Sequence, residues 1–370
     1  MPWLAVLLAC KDATPAAVGA IHRLTVEGGV GSGEFAAGSR VHVWAEVDPQ
    51  AALATWTGEG IATPEEWNSG LEMPDHDLVV TAAVTPVSAP LVERTLALVD
   101  GDRPVLVSAP EAPSALVLFF HGASYGISQL ESNAAATIRM HLVRAGYAVV
   151  AVPSQAELSA GTGGWNASLD DANPDLATVR GVVDALTGDG TLPADVPVFA
   201  WGMSSGGNFA HTVGAALPAA GVVAYCAPGT PEALAATRAP TGWYLAANDQ
   251  TFPSGVAEAI AFQAALSVRG VVTELVVHPQ TPLYDERFRR IAGVSEQQSA
   301  DIANAIRAVG AVNAAGNWTT SGSAVLPVLD LADLDAEQRV AVGAEIEIMA
   351  ADHELYDDVA DRMLDFLAHL

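Results

Sequence analysis

Residues 196–207 read Val196-Pro197-Val198-Phe199-Ala200-Trp201-Gly202-Met203-Ser204-Ser205-Gly206-Gly207. An apolar run of strand type, Val196–Trp201, meets a glycine–serine cluster, and a run of helical spacing, Gly206–Leu217, follows it. Gly202, Ser204 and Gly206 form the pattern G-x-S-x-G in the strand-to-helix context that a nucleophile elbow requires. The physical reason is crowding: a serine on so tight a turn needs neighbours without side chains two residues away on each side. Such a turn lifts Oγ out of the sheet and aims it over a helix N-terminus, where backbone N–H groups favour negative charge. Ser204 is therefore the candidate nucleophile, and the N–H of Ser205 a candidate oxyanion donor. Ser205 itself is a weaker nucleophile by pattern, since Met203 stands where a glycine is needed. Read as structure alone, the stretch is a tight turn.

Working outward, strands and helices alternate. Leu91–Val99 and Pro104–Ser108 read as a leading β-hairpin around Asp100-Gly101. Ala115–Phe120 and Tyr147–Val152 are continuous apolar runs, as expected of strands buried on both faces. Val222–Tyr225, Gly242–Ala247 and Val271–Val277 are further strands. Gln129–Ala145, Pro174–Leu186 and Ser254–Arg269 are helical, with Asn173 a cap and Pro174 at the first helical position. The pattern predicts an α/β fold, a mostly parallel sheet with helices on both faces.

With Phe119-Phe120-His121-Gly122-Ala123-Ser124 added to the elbow, the chain resembles the α/β-hydrolase superfamily, and within it secreted esterases and polyester-depolymerase-like serine hydrolases. The resemblance implies that the N–H of Ala123 is the second oxyanion donor, with Gly122 permitting close approach and His121 shaping the loop. It also implies the chain order serine, acid, histidine. Asp249, in Asn248-Asp249-Gln250 after the Thr241–Asn248 strand, is the expected acid. It lies at the sheet face where open α/β folds bind ligands. Two histidines follow it. His353, on a loop before the helix Val359–Leu367, is the expected base; His278, at the end of Val271–Val277, is the alternative. His141 and His211 fall on helices and read as core or surface residues.

Choosing His353 makes Pro279–Ala350 an insertion with helical runs at Asp285–Ala292, Glu296–Gly310 and Ala336–Met349. It reads either as a cap over the pocket or as an edge-packing subdomain. Ser154–Asn173 reads as a long loop carrying Gly161-Thr162-Gly163-Gly164-Trp165-Asn166. Trp165 there, and Tyr125 beside the oxyanion loop, are candidate pocket residues or packing aromatics.

The whole chain has 370 residues, 51% hydrophobic and 16% charged, enough apolar surface for a large core. Its net charge is −27 and Lys11 is its only lysine, so a nucleic-acid backbone is an unfavourable partner. Met1–Cys10 (MPWLAVLLAC) resembles a bacterial lipoprotein signal, which implies lipidation of Cys10, a membrane tether and an envelope location, or else secretion. Residues 1–20 are then signal and tether. Residues 21–86 show short β-type runs (His22–Glu27, Arg40–Glu46, Leu78–Val84) between turn signals and predict a small all-β domain. Val26-Glu27-Gly28-Gly29, the Gly33–Gly38 turn, Val41–Ala45, Trp56-Thr57-Gly58 and Met73–Asp77 resemble a divergent internalin-type B-repeat, which implies a spacer or binding module. Pro86–Pro90 is the expected linker and 87–370 the hydrolase domain. No metal-ligand spacing and no dinucleotide fingerprint is present, so no cofactor is expected. The expected reaction is hydrolysis of a small-molecule or polymeric carboxylic ester through an acyl-enzyme. A serine peptidase, and a surface-anchored binding protein on an idle hydrolase scaffold, are the alternatives.

Overall fold

A computed structural model describes residues 20–48, 52–87 and 90–370 of the chain. Cys10 and the signal-like stretch around it lie outside the described residues, as do Ser88 and Ala89 of the expected linker. The chain divides into two compact units. The first comprises the residues up to Ala45, Trp56–Pro64 and Asn68–Ala83; the second comprises Glu46–Thr55, Glu65–Trp67 and Val84–Leu370. Among the described residues no helix is long and apolar enough to cross a membrane.

The strands of the N-terminal part are β1 (Ile21–Glu27), β2 (Gly29–Val30), β3 (Gly33–Ala36), β4 (Arg40–Ala45), β5 (Ala52–Thr57), β6 (Asn68–Glu72) and β7 (Leu78–Pro86). They form two small sheets, in the orders β3-β1-β7-β5 and β2-β4-β6. The Gly33–Gly38 stretch, expected as a turn, is mostly strand: β3 pairs antiparallel with β1, and only Ala37-Gly38 turns, with Gly38 at φ 79°.

The larger unit is built on eight strands: β8 (Val92–Leu98), β9 (Gly101–Ser108), β10 (Ala115–Phe120), β11 (Tyr147–Ala151), β12 (Val198–Met203), β13 (Gly221–Tyr225), β14 (Thr241–Ala246) and β15 (Thr273–His278). Their spatial order is β15-β14-β13-β12-β10-β11-β9-β8. From β15 across to β11 all pairs are parallel, and β9 joins β11 antiparallel through the β8–β9 hairpin. This is the mixed sheet of an α/β-hydrolase fold.

The period-2 geometry of a strand explains why β10 needs six apolar residues in a row. Val117 and Phe119 point into one core with α1 (Asn133–Arg144), where Ile138 and Leu142 meet them. Leu116, Leu118 and Phe120 point into the other. That second core takes Leu176, Val179, Val182 and Leu186 from one helix and Phe209, Ala210 and Val213 from the helix that follows Ser204. Each such leucine, valine or phenylalanine contributes about 1.5–3 kcal/mol on burial.

The glycine-rich segment expected as continuous loop contains a short helix, α2 (Gln155–Ala160), which starts where the Ser154 side chain accepts the Glu157 N–H. The helix α3 (Pro174–Gly188) begins as expected, Asn173 capping Asp175 N–H. The elbow helix is α4 (Ser205–Ala216), followed by α5 (Pro231–Ala236) and α6 (Gly255–Val268). In the insertion, the run expected over Asp285–Ala292 shrinks to one 3-10 turn at Arg287–Arg290. Two buried arginines there explain this: Arg287 reaches Glu345 at 2.6 Å and Arg290 reaches Asp357 at 2.6 Å, a geometry set by tertiary partners. Then come α7 (Glu296–Ala308), α8 (Gly322–Val325) and α9 (Ala336–Met349); α7 and α9 each open on a capping box. They enclose a core of their own around Phe288, Ile302, Ile306, Trp318 and Ile346. The chain leaves α9 directly into the His353 loop, and α10 (Ala360–Ala368) closes the first core through Met363 and Leu367.

Candidate active site

Ser204 sits between β12 and α4 at φ 56° and ψ −118°, a conformation that costs a non-glycine residue about 1–3 kcal/mol. Two observations explain how it is held. Its N–H donates to the Tyr225 carbonyl at 2.9 Å. Its glycine neighbours leave no room for anything larger: a Cβ on Gly202 would lie 2.2 Å from the Gly206 carbonyl oxygen, and one on Gly206 would lie 2.0 Å from that of Phe120.

Asp249 follows the C-terminal end of β14. Its Oδ1 accepts the N–H groups of Thr251 and Phe252, each at 2.8 Å. This leaves Oδ2 for the imidazole of His353, whose Nδ1 is 2.7 Å away. Nε2 of the same ring is 2.8 Å from Ser204 Oγ. A carboxylate only accepts, so Nδ1 carries the proton and Nε2 faces the hydroxyl with its lone pair. Ser204, His353 and Asp249 thus stand in one hydrogen-bonded line.

The loop that carries His353 is itself pinned. Asn248 N–H donates to Ala351 O at 2.8 Å, and Asp352 takes the His353 N–H at 2.9 Å and the Ser323 hydroxyl of α8 at 2.8 Å. The insertion therefore reaches the His353 loop through its helix α8 and through the residues that follow α9.

The loop Gly122–Tyr125 leaves β10. Gly122 N–H is held by Gln129 Oε1 at 2.8 Å, and Tyr125 N–H closes a turn onto Gly122 O at 3.1 Å. Among the described residues, neither Ala123 N–H nor Ser205 N–H meets a protein acceptor. A Cβ on Gly164 would lie 2.8 Å from Ser205 Oγ and 3.7 Å from Ala123 Cβ, so the glycine-rich loop passes beside both, and Ala123 stays exposed. His121 is fully buried; its Nε2 is 3.0 Å from Glu157 of α2, and its carbonyl accepts the Trp165 indole N–H at 2.9 Å.

Trp165, expected as a pocket residue or a packing aromatic, packs. It is 8% exposed, with its ring stacked on Phe209 at 4.6 Å and edge-on to Phe120 at 5.1 Å. The indole lies beside the turn after β10, where its N–H finds the His121 carbonyl. Tyr125 is half-buried, and its phenol donates to Glu354 Oε2 at 3.0 Å. His278 is turned away from Ser204. It is 3% exposed, stacked on Tyr356 at 4.2 Å, with Nε2 at 3.1 Å from Ile348 O. Burial holds its pKa below the usual imidazole value.

Cys226, in the apolar run Val222–Ala227 that reads as core, is free and buried, and its sulfur, Asp249 and His353 bring ligand atoms within 4.8 Å of one another. A metal there would draw on the same Asp249 carboxylate and His353 imidazole that are hydrogen-bonded to each other. Burial, and then the charges of Asp249 and Glu354, push the thiol well above its usual range. The protonated thiol donates to Glu354 O at 3.3 Å. Glu347, half-buried, is raised to about 8 by burial and then by repulsion from Glu354, Asp352 and Asp249. Gln129, Glu157 and Glu354, which brace the loops, are residues that sequence reasoning missed. Only Glu354 carried a signal, its place beside His353.

No family model matches the chain, and no curated protein matches it. Among solved structures it is similar to the esterase Pf2001 of Pyrococcus furiosus, at 13% identity over 60% of this chain and 94% of that one, with a TM-score of 0.41. It is similar to a dienelactone hydrolase from Anabaena variabilis at 18% identity over 60% and 98%, with a TM-score of 0.40. A feruloyl esterase module from Clostridium thermocellum matches at 13% identity over 53% and 83%, with a TM-score of 0.42.

Proposed function

We propose that this chain is a serine hydrolase that cleaves carboxylic esters through an acyl-enzyme. The observation that carries the reading is the line from Ser204 Oγ to His353 Nε2 at 2.8 Å and from His353 Nδ1 to Asp249 Oδ2 at 2.7 Å. Ser204 attacks the acyl carbonyl while His353 takes its proton. Asp249 keeps the imidazole in the working tautomer and stabilises the imidazolium. The N–H groups of Ala123 and Ser205 receive the developing oxyanion, commonly the largest catalytic contribution. His353 then returns the proton to the departing alkoxide. Water, activated by the same ring, attacks the acyl-enzyme and releases the acid.

The test is turnover of p-nitrophenyl acetate and butyrate by the folded chain, with fluorophosphonate labelling of Ser204. Ser204→Ala and His353→Ala are expected to lower kcat on the order of 10⁶-fold. His278→Ala is expected to stay within about threefold of the parent, having no contact with the triad. A folded protein that is neither labelled nor active would sink the reading and favour a binding protein on an idle scaffold.

An envelope location belongs to the same proposal and is supported by residues 1–10 alone. Mass spectrometry of the cell-derived protein, with an acylated Cys10 as its N-terminus, is the expected result. A spacer role for residues 21–86 rests likewise on their B-repeat-like sequence.

A further inference from the structure

The turn that carries Ala123 is fastened at two ends. At the first, Gly122 N–H is held by Gln129 at 2.8 Å. At the second, Tyr125 closes the turn with its own N–H on Gly122 O at 3.1 Å and sends its phenol to Glu354 Oε2 at 3.0 Å. Glu354 is the residue after His353, and the bond joins positions 229 apart in the chain.

Glu354 is itself immobilised. Its Oε1 accepts Leu355 N–H at 2.8 Å, its carbonyl accepts the Cys226 S–H at 3.3 Å, and its side chain is 7% exposed. A buried carboxyl needs partners for its oxygens, and the phenol is one of them. The same bond reaches the nucleophile's surroundings: the position a Cβ would take on Gly122 is 3.3 Å from the Tyr125 ring and 3.8 Å from Ser204 Cβ.

We infer that Tyr125 and Glu354 are positioning residues that fix the Ala123 N–H against His353, so that the oxyanion donor and the base hold one mutual geometry. The inference rests on the ester-hydrolase reading. An oxyanion donor works only within about 2.7–3.1 Å of where the charge develops. Ground-state binding of an ester makes no such demand. Loosening the turn therefore acts on kcat and leaves KM alone.

The experiment measures kcat and KM for p-nitrophenyl butyrate, and the affinity of butylboronic acid as a tetrahedral analogue. The variants are Tyr125→Phe, Glu354→Gln, Glu354→Ala and the pair Tyr125→Phe with Glu354→Ala. Tyr125→Phe keeps the ring and loses only the hydroxyl. It is expected to lower kcat about 10- to 100-fold with KM within about twofold, and to weaken boronate binding in proportion to kcat/KM. Glu354→Gln, whose amide N–H can donate to the phenol oxygen, is expected to keep activity within a few-fold. The pair is expected to be no worse than its more damaging member, since both remove one bond. Parent-like kcat in Tyr125→Phe, a loss confined to KM, or additive losses in the pair would overturn the inference while an active parent leaves the ester-hydrolase reading standing. A folded parent that is inert and unlabelled at Ser204 would overturn both.

Discussion

Ser205 Oγ accepts the backbone N–H of Trp165 at 3.0 Å, joining the elbow to the glycine-rich loop above it. The hydroxyl beside the nucleophile is thereby committed to architecture. His353 addresses Ser204 and not Ser205. Ser205→Ala is expected to retain the fluorophosphonate label and to lower kcat only about 3- to 10-fold, as one neutral hydrogen bond is worth about 1 kcal/mol. Steady-state rates beside Ser204→Ala decide the point. A Ser205→Ala loss as deep as that of Ser204→Ala would transfer the nucleophile's role.

Asp249 gives one oxygen to two backbone N–H groups and the other to the imidazole. Asp249→Asn preserves the shape, and the amide oxygen can still satisfy the backbone. The amide NH₂ then faces His353 Nδ1 and favours the tautomer with its proton on Nε2, which cannot accept from Ser204. The expected loss is about 10³–10⁴-fold in kcat with little change in KM. An Asp249→Asn enzyme within tenfold of the parent would show that the ring is oriented by its other contacts.

The parts of this molecule that were readable in advance are those encoded locally. The elbow is one such part, because G-x-S-x-G between an apolar run and a helical run is a constraint among five neighbouring residues. The six-residue apolar run of β10 is another, since a strand buried on both faces needs no polar partner. Asp249 and His353 were singled out by strand ends and chain order, and the fold brings them into hydrogen-bond contact across 104 positions. What stayed hidden acts across the fold. Gln129, Glu157 and Glu354 brace the oxyanion loop through single hydrogen bonds and ion-pair contacts that leave no periodicity. Trp165 reads as a pocket residue or a packing aromatic because it sits among glycines, and its indole finds Phe209 and the His121 carbonyl. In the N-terminal part, β2, β5 and β6 are short and rich in Gly, Ala and Ser, so their pairing is set by neighbours rather than by propensity.

Two glycines separate steric need from mere tolerance. A Cβ on Gly206 would lie 2.0 Å from the Phe120 carbonyl oxygen and 2.6 Å from that of His121, both main-chain atoms that cannot swing aside. Gly206→Ala is expected to destabilise by about 3 kcal/mol or more and to abolish labelling of Ser204. Gly188 ends α3, and a Cβ there meets nothing. Gly188→Ala is expected to be neutral or to stabilise by up to about 1 kcal/mol. Urea denaturation midpoints of the two variants test the contrast. Equal midpoints would mean that the elbow can relax around a methyl group.

Acid should unfold this protein partly through two histidines remote from the reaction. His141 and His211 are 1% and 0% exposed; the His141 ring has no hydrogen-bond partner among the described residues, and that of His211 has only the Ala227 backbone as a neighbour of that kind. Burial lowers each to about 4 in the folded state. Unfolded, each titrates near the ordinary value of about 6.5. The unfolded chain therefore binds more protons between these limits, and stability rises with pH across the same window. Present in full above about 6.5, this contribution is lost as pH falls through about 4, and amounts to about 3 kcal/mol per ring. Replacing His211 by Leu removes one of the two titrations. The stability difference between parent and His211→Leu, measured by urea denaturation from pH 7.5 down to pH 4, is expected to shift by about 3 kcal/mol in favour of the variant. A difference that stays flat over that range would mean that His211 gains a proton acceptor or water when charged, and that acid sensitivity lies with the carboxylates.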